Sequence, residues 1–200
     1  MRTLSSSDAC RMSTLTSEVA LDQSNVRVSF VVRWFGLFTI RGTFTRLTGW
    51  LRLSADNDPA DGISVTVDPD SVDTGVKLRD HHLVRDRFFD AANYGAMTFR
   101  STKLSTQQHD VMVEGVVVVH GREQLRQFRC SVPHSTSGAK HVPCVATLAI
   151  SRRYFGIGTP GGIAGWNPLL LAIADRVDVT IEADVPVTML QATRLLDLVR

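Results

Sequence analysis

Four groups of residues in this chain have types and spacings that could do chemistry. Asp73-Thr74-Gly75 is the tripeptide that carries the catalytic aspartate in pepsin-like and retroviral proteases. Such enzymes work with two carboxylates sharing one proton. No second copy of the motif exists here, and the segment after Val76, KLRDHHL, is charged and helix-compatible. The tripeptide therefore reads as structural. Asp73 or Thr74 caps the turn entering a helix by accepting free backbone N–H groups, and Gly75 permits the tight backbone. Cys130, His134, His141 and Cys144 could be drawn as a zinc site, but C-x3-H-x6-H-x2-C matches no structural zinc pattern, so no metal is expected. GTPGGIAG at 158–165 lacks the Gly-Lys-Ser/Thr ending of a phosphate loop. Arg79-Asp80 reads as a structural ion pair, with ligand contact as its alternative. One imidazole of His81-His82 is expected to make a local hydrogen bond, and His120, before Gly121, to stabilise a turn. No serine sits in a nucleophile elbow. No catalytic residue and no cofactor are expected.

The elements that hold these residues are strands. VRVSFVVRW places Val26, Val28, Phe30, Val32 and Trp34 on one face and Arg27, Ser29 and Arg33 among those on the other. That alternation is the mark of a half-buried antiparallel strand. Similar runs begin at Phe38, Thr48, Ile63, Met97, Asp110, Gln124, Cys144 and Arg176, giving about eight or nine strands. Only 74–93 breaks the rhythm, as a short helical segment. Turn signals at this density without βαβ alternation indicate an all-β fold, an antiparallel barrel or sandwich. The Ser/Thr-rich residues 1–17 read as a flexible N-terminal arm and 18–186 as the β-domain. The tail 187–200 carries Leu190, Leu195, Leu196 and Val199, compatible with a C-terminal helix lying on the barrel.

Parity along these strands sends an almost wholly apolar set inward: Val28, Phe30, Phe38, Ile40, Phe44, Val65, Val67, Phe99, Val117, Val119, Phe128, Leu148, Ile150, Val179 and Ile181. The same parity turns Arg152 inward at the barrel end. A buried arginine needs a partner. A carboxylate from 73–90 is the favoured one, and a ligand head group the alternative.

Taken as a whole, DTGVKLRDHHLVRDRFFDAANYGAMTFRST resembles the YceI-like family through Thr74, Gly75, Arg79, Asp80, His82, Leu83, Phe88, Phe89, Asp90, Tyr94 and Phe99. Three further elements agree: Gly36, Ile40, Gly42 and Phe44 in FGLFTIRGTF; Gly115, His120 and Gly121 in EGVVVVHG; Ile150, Arg152, Phe155 and Gly156 in ISRRYFG. Together they span roughly 19–185. Two departures stand out. The family's Tyr-Pro is Tyr94-Gly95, which should loosen that turn, and the loop after Gly156 is longer and more apolar. The resemblance implies a lipocalin-like antiparallel β-barrel whose interior holds a long isoprenoid or related amphiphile.

On that basis the expected function is non-catalytic binding of a long-chain hydrophobic or amphiphilic ligand, a polyisoprenoid or related lipid or quinone, for carriage, storage or sequestration. The expected contacts in the interior and at the mouth are Val28, Phe30, Phe38, Ile40, Phe44, Phe99, Val117, Val119, Phe128, Leu148, Ile150, Arg152, Phe155 and Trp166. Trp166 and Leu169–Leu171 would form an apolar lip on a mobile loop. An eight-stranded barrel has room for one small ligand, and ten buried CH₂ groups would gain about 8 kcal/mol before the cost of ordering the tail. The rival reading is a structural or interaction barrel filled by its own aromatics, since nine Phe in 200 residues could close a small lumen.

Charge and composition narrow the partners. A net charge of +2, from 22 basic and 20 acidic residues, makes no electrostatic case for nucleic acid or for an anionic membrane surface. No apolar run reaches the roughly 18 residues of a membrane-spanning helix. The partner is thus a hydrophobic small molecule, with a homodimer left open. The N-terminus does not read as a signal peptide, so the expected location is cytoplasmic, and periplasmic or secreted only if a leader has been removed. Cys130 and Cys144 should lie nearly opposite each other on paired strands, neighbouring but unbonded in a reducing compartment.

Overall fold

The computed structural model describes residues 17–53, 61–107, 110–132, 139–159 and 171–192. Within them the chain forms one antiparallel sheet. Its strands are β1 (Ser17–Asp22), β2 (Val26–Trp34), β3 (Phe38–Phe44), β4 (Leu47–Leu53), β5 (Gly62–Val67), β6 (Val72–Asp73), β7 (Met97–Gln107), β8 (Asp110–Val119), β9 (Arg122–Ser131), β10 (His141–Ser151) and β11 (Ile173–Pro186). A helix, α1 (Lys77–Leu83), interrupts them, and α2 (Val187–Ala192) follows the last. All nine expected runs are strands. The two additions are β1, whose Val19 and Leu21 alternate too briefly to stand out, and the two-residue β6.

The spatial order is β1-β4-β5-β7-β8-β9-β10-β11-β2-β3-β6. The sheet curls on itself at one corner. There β3 runs into β4 through Thr45 and Arg46, while Thr45 donates its N–H to Ser71 O and Asp68 donates its N–H to Arg46 O, both at 3.1 Å. β1 pairs β4 throughout its length and turns into β2 through Asp22–Val26, which keeps the two edges together. Curling buries one face of every strand, and the period-two alternation assigns the apolar side chains to that face.

One end is closed by packing. Leu21, Val26, Val132, Val142, Val185, Met189 and Leu190 form a buried cluster in which α2 lies against the sheet. The helical expectation for the tail thus holds at 187–192, while Leu195, Leu196 and Val199 fall outside the described residues, as does the arm through residue 16. The other end gathers the β2–β3 hairpin, α1, the 84–95 turns, the β8–β9 turn and the turn after Ser151. In that last turn Phe155 is fully buried with Val119 and Ile157.

Candidate ligand-binding cavity

Inside the curl lies a cavity of about 1860 Å³, well beyond the roughly 300–1,000 Å³ usual for small-molecule pockets. All fifteen residues assigned inward by parity line it. Twelve of the fourteen expected contacts are therefore brought together: Val28, Phe30, Phe38, Ile40, Phe44, Phe99, Val117, Val119, Phe128, Leu148, Ile150 and Arg152. Phe155 is not among them. The chain turns sharply after Ser151, so its ring packs into the cluster behind the wall and does not reach the lumen. Trp166 and Leu169–Leu170 lie outside the described residues, and so do all but two residues of the 158–165 glycine run.

The phenylalanines do not close this space. They pair along the wall, Phe30 with Phe44 at 5.5 Å and Phe99 with Phe128 at 5.4 Å between ring centroids. Two glycines explain why. The ring of Phe30 lies over Gly42, its cross-strand partner, and the ring of Phe99 lies over Gly115. With no Cβ beneath them the rings lie against the sheet, and the core that nine phenylalanines could fill stays hollow.

The polar parts of the lining are local. At one end Arg79, His82, Arg85, Asp86 and Arg87 join Val76, Leu78 and Leu83 of the α1 region, facing Trp34, Phe38 and Thr39 of the β2–β3 hairpin. Several of these are both lining and solvent-exposed, which marks the mouth. Farther down, β5 pairs β7 over only four residues, and Asp61, Ser101, Thr102 and Lys103 line the wall where the two strands part. Of the α1 contacts only Arg79 was weighed from the sequence. The available signal was Val76 and Leu78, two apolar residues in an otherwise charged segment.

Arg152 is 4% exposed and lines the lumen. Its partners differ from the expected carboxylate of 73–90. It donates to the carbonyls of Ile157 (2.9 Å), Gly158 (2.8 Å), Ile173 (2.8 Å) and Ala174 (3.0 Å). The turn after Ser151 brings the first two carbonyls over the guanidinium, and the start of β11 supplies the others. Carboxylates of 73–90 are engaged locally, Asp73 with the Gly75 N–H, Asp80 with Thr74 and Asp90 with Asn93. Burial and the charge of Arg153 lower the Arg152 pKa, against the opposing pull of Asp175.

Asp73-Thr74-Gly75 is structural, with an altered geometry. Val76 is the N-cap of α1 and no side chain caps it. Asp73 Oδ1 instead accepts the Gly75 N–H at 2.8 Å in the turn before the helix, and Gly75 has φ +78°. Arg79 and Asp80 meet through Thr74 and not as an ion pair. Arg79 Nε donates to Thr74 Oγ1 at 2.7 Å, and Asp80 Oδ1 accepts both the Thr74 hydroxyl and its N–H. Arg85 Nη2 is 2.6 Å from His81 Nε2, the local hydrogen bond expected of this pair. His120 and Gly121, both at positive φ, make the two-residue β8–β9 turn. The His120 Nδ1 is bonded to Phe155 O at 3.1 Å, and the ring packs on Tyr94. The Tyr94-Gly95 turn is thereby tied to the barrel end despite the missing proline.

Cys130 and Cys144 are free thiols that both line the cavity, and the Cys144 thiol donates to Val142 O at 3.7 Å. Cys130 pairs with Ala146, so the register is offset by two residues from the one expected and the cysteines are diagonal neighbours. The neighbouring Cys144 thiol lowers the Cys130 pKa against desolvation. The proximity of Cys130, together with burial, pushes the Cys144 thiol well up.

A curled antiparallel sheet round a largely apolar lumen defines a lipocalin-like β-barrel. The model of the YceI-like domain matches residues 20–185, and the chain belongs to the YceI-like family. Protein YceI of Escherichia coli is 32% identical over 94 residues, 47% of this chain and 49% of that protein. Protein YceI of Salmonella arizonae is 28% identical over 111 residues, 54% of this chain and 58% of that protein. The chain thus matches about half the length of these curated relatives. Among solved structures, Burkholderia cenocepacia BcnA shares the fold with a TM-score of 0.68 at 20% identity, over 80% of this chain and 96% of that one. A polyisoprenoid binding domain from Saccharophagus degradans, implicated in plant cell wall breakdown, shares it with a TM-score of 0.60 at 17% identity, over 84% and 98%.

Proposed function

We propose that this protein binds one long-chain hydrophobic or amphiphilic molecule, a polyisoprenoid or related lipid or quinone, inside the barrel, without catalysis, for carriage, storage or sequestration. The observation that carries the reading is the hollow lumen of about 1860 Å³, kept open because Phe30 and Phe99 lie on glycines. A largely apolar wall offers little to a sugar or a nucleotide. It offers each buried CH₂ about 0.8 kcal/mol, so affinity grows with chain length. Polar groups at the mouth, Arg79, His82, Arg85 and Arg87, are placed to meet a head group. The polyisoprenoid binding domain with the same fold supports the ligand class.

The reading is tested by titrating the protein with a long-tailed quinone and following tryptophan fluorescence, since Trp34 lines the cavity. Saturable quenching at one quinone per chain is expected, weakening as the tail is shortened. Quenching that ignores tail length, or none at all, would favour a barrel acting through its surface.

A further inference from the structure

The β2–β3 hairpin carries its most apolar residues into solvent. Leu37 is 85% exposed, Phe38 60% and Phe35 53%; across the mouth, Leu78 is 69% exposed and Val76 48%. Single exposed apolar residues are ordinary, but five around one opening are a patch. The tip is also built at a conformational cost. Leu37 N–H bonds Trp34 O at 3.2 Å, closing a turn whose central residues Phe35 (φ +52°) and Gly36 (φ +69°) are both left-handed. Asn-Gly is the favoured pair for such a turn, and a bulky aromatic is disfavoured at its first position. The return is small, since the Phe35 ring stays half in water against Trp34, 5.0 Å away between ring centroids.

We propose that this hairpin and the start of α1 dock on an anionic lipid bilayer, with Phe35, Leu37 and Leu78 entering the interfacial layer. Charge complementarity favours a bilayer over a second copy of the chain. Arg33 and Arg41 are exposed on the outer face of the hairpin, and Lys77, Arg85 and Arg87 are exposed beside α1. The nearby carboxylates Asp73, Asp80, Asp86 and Asp90 keep their charge within local hydrogen bonds, but these five cations and Arg79 outnumber them. A local excess of cations, which the near-balanced net charge hides, therefore borders the apolar tip, the arrangement that holds interfacial segments on acidic headgroups. The apolar lip is also continuous with the lumen through Trp34, Phe38, Val76 and Leu78. Docking would set the mouth against the phase in which a water-insoluble chain resides. No helix of the described residues is long and apolar enough to cross a membrane. The purpose of docking rests on the proposed cargo; the docking itself does not.

The test is flotation of the full chain with vesicles of phosphatidylglycerol and phosphatidylcholine, against phosphatidylcholine alone. The wild type should float with the anionic vesicles and be released by salt. Leu37→Glu should weaken partitioning by more than about tenfold. Phe35→Asn should weaken it too while raising the melting temperature, because Asn-Gly suits the turn; a residue kept for folding would show the opposite. Neither side chain lines the lumen, so both variants should keep the quinone-dependent quenching. Failure of the wild type to float while quinone still binds would overturn the docking and leave the cargo reading standing. Flotation without quinone binding would do the reverse. A concentration-dependent dimer abolished by Leu37→Glu would assign the patch to a second copy and overturn the proposal.

Discussion

The ring of Phe30 lies on Gly42 so closely that a Cβ at residue 42 would stand 2.4 Å from its Cζ and 2.6 Å from its Cε1. The same Cβ would meet Thr74 Cγ2 at 2.9 Å. This contact decides whether the barrel is hollow. A methyl there must lift the ring into the lumen or push β3 away from the 74–76 turn. Gly42→Ala is expected to cost about 1–3 kcal/mol and to weaken quinone binding, measured by urea unfolding and fluorescence titration on one preparation.

Gly115→Ala should cost more. Its Cβ would meet Phe99 ring atoms at 2.6 Å and also Arg100 O at 2.5 Å. A ring can rotate away, whereas a carbonyl in a paired strand cannot. Urea midpoints should therefore rank wild type above Gly42→Ala above Gly115→Ala. The reverse order of the two variants would mean that the Phe30 ring has less freedom than its place on the cavity wall implies.

Arg152 holds the mouth end by donating to four carbonyls of two separate chain segments. Removing it leaves buried acceptors without donors, at about 1–3 kcal/mol each where water cannot reach them. Arg152→Ala should destabilise the fold by about 3–5 kcal/mol, in the range found when a buried charged network loses one partner. Arg152→Lys, with one nitrogen to reach both segments, should fall between. Unchanged stability with weakened binding would reassign the guanidinium to a ligand head group.

These sites show what was legible in the sequence. Parity alone located the lumen, because a two-residue period leaves only two faces and one is almost wholly apolar. The inward turn of Arg152 followed from the same rule. Its partners did not, since they are backbone carbonyls brought in by a turn that no side-chain pattern encodes. Phe155 illustrates the same limit. Strand parity ends at Ser151, and Phe155, expected at the lumen with no parity assignment behind it, packs behind the wall. The hollow interior was open to either reading until the rings were seen lying on Gly42 and Gly115, positions that had been read only as part of a family pattern. The offset of Cys130 and Cys144 has a similar origin, because register depends on loop geometry as well as on face.

The thiols give a prediction of their own. Cys130 has its pKa lowered by the neighbouring Cys144 thiol, while Cys144 is pushed well up and stays protonated. Alkylation of the folded protein should therefore modify Cys130 first and Cys144 last, with both found free after denaturation when the protein is made in a reducing cytoplasm. Rapid modification of Cys144 would contradict the raised pKa of that thiol. A bound hydrophobic chain should slow the reaction of Cys130, since both sulfurs face the lumen.

Acid sensitivity should involve Asp175. Burial opposes its charge, but the Arg153 N–H and the Ser151 hydroxyl bond the carboxylate, and Arg153 and Arg152 attract it; together they hold its pKa below the ordinary value. A folded pKa below the unfolded one contributes stability above the unfolded value, about 3.9 for aspartate, and loses it as pH falls through the folded value. Wild type should thus lose stability relative to Asp175→Asn below about pH 4. Parallel stability curves for the two proteins through that window would remove Asp175 from the account.

The central claim is that the lumen is a vessel, and native mass spectrometry of the protein purified from its own host under gentle conditions tests it most directly. The account predicts a population heavier than the bare chain by one hydrophobic molecule. That mass should be released by collisional activation, extractable into organic solvent and diminished in Gly42→Leu. Bare chain alone, with the purified protein also refusing long-tailed quinones and polyprenols in solution, would contradict it.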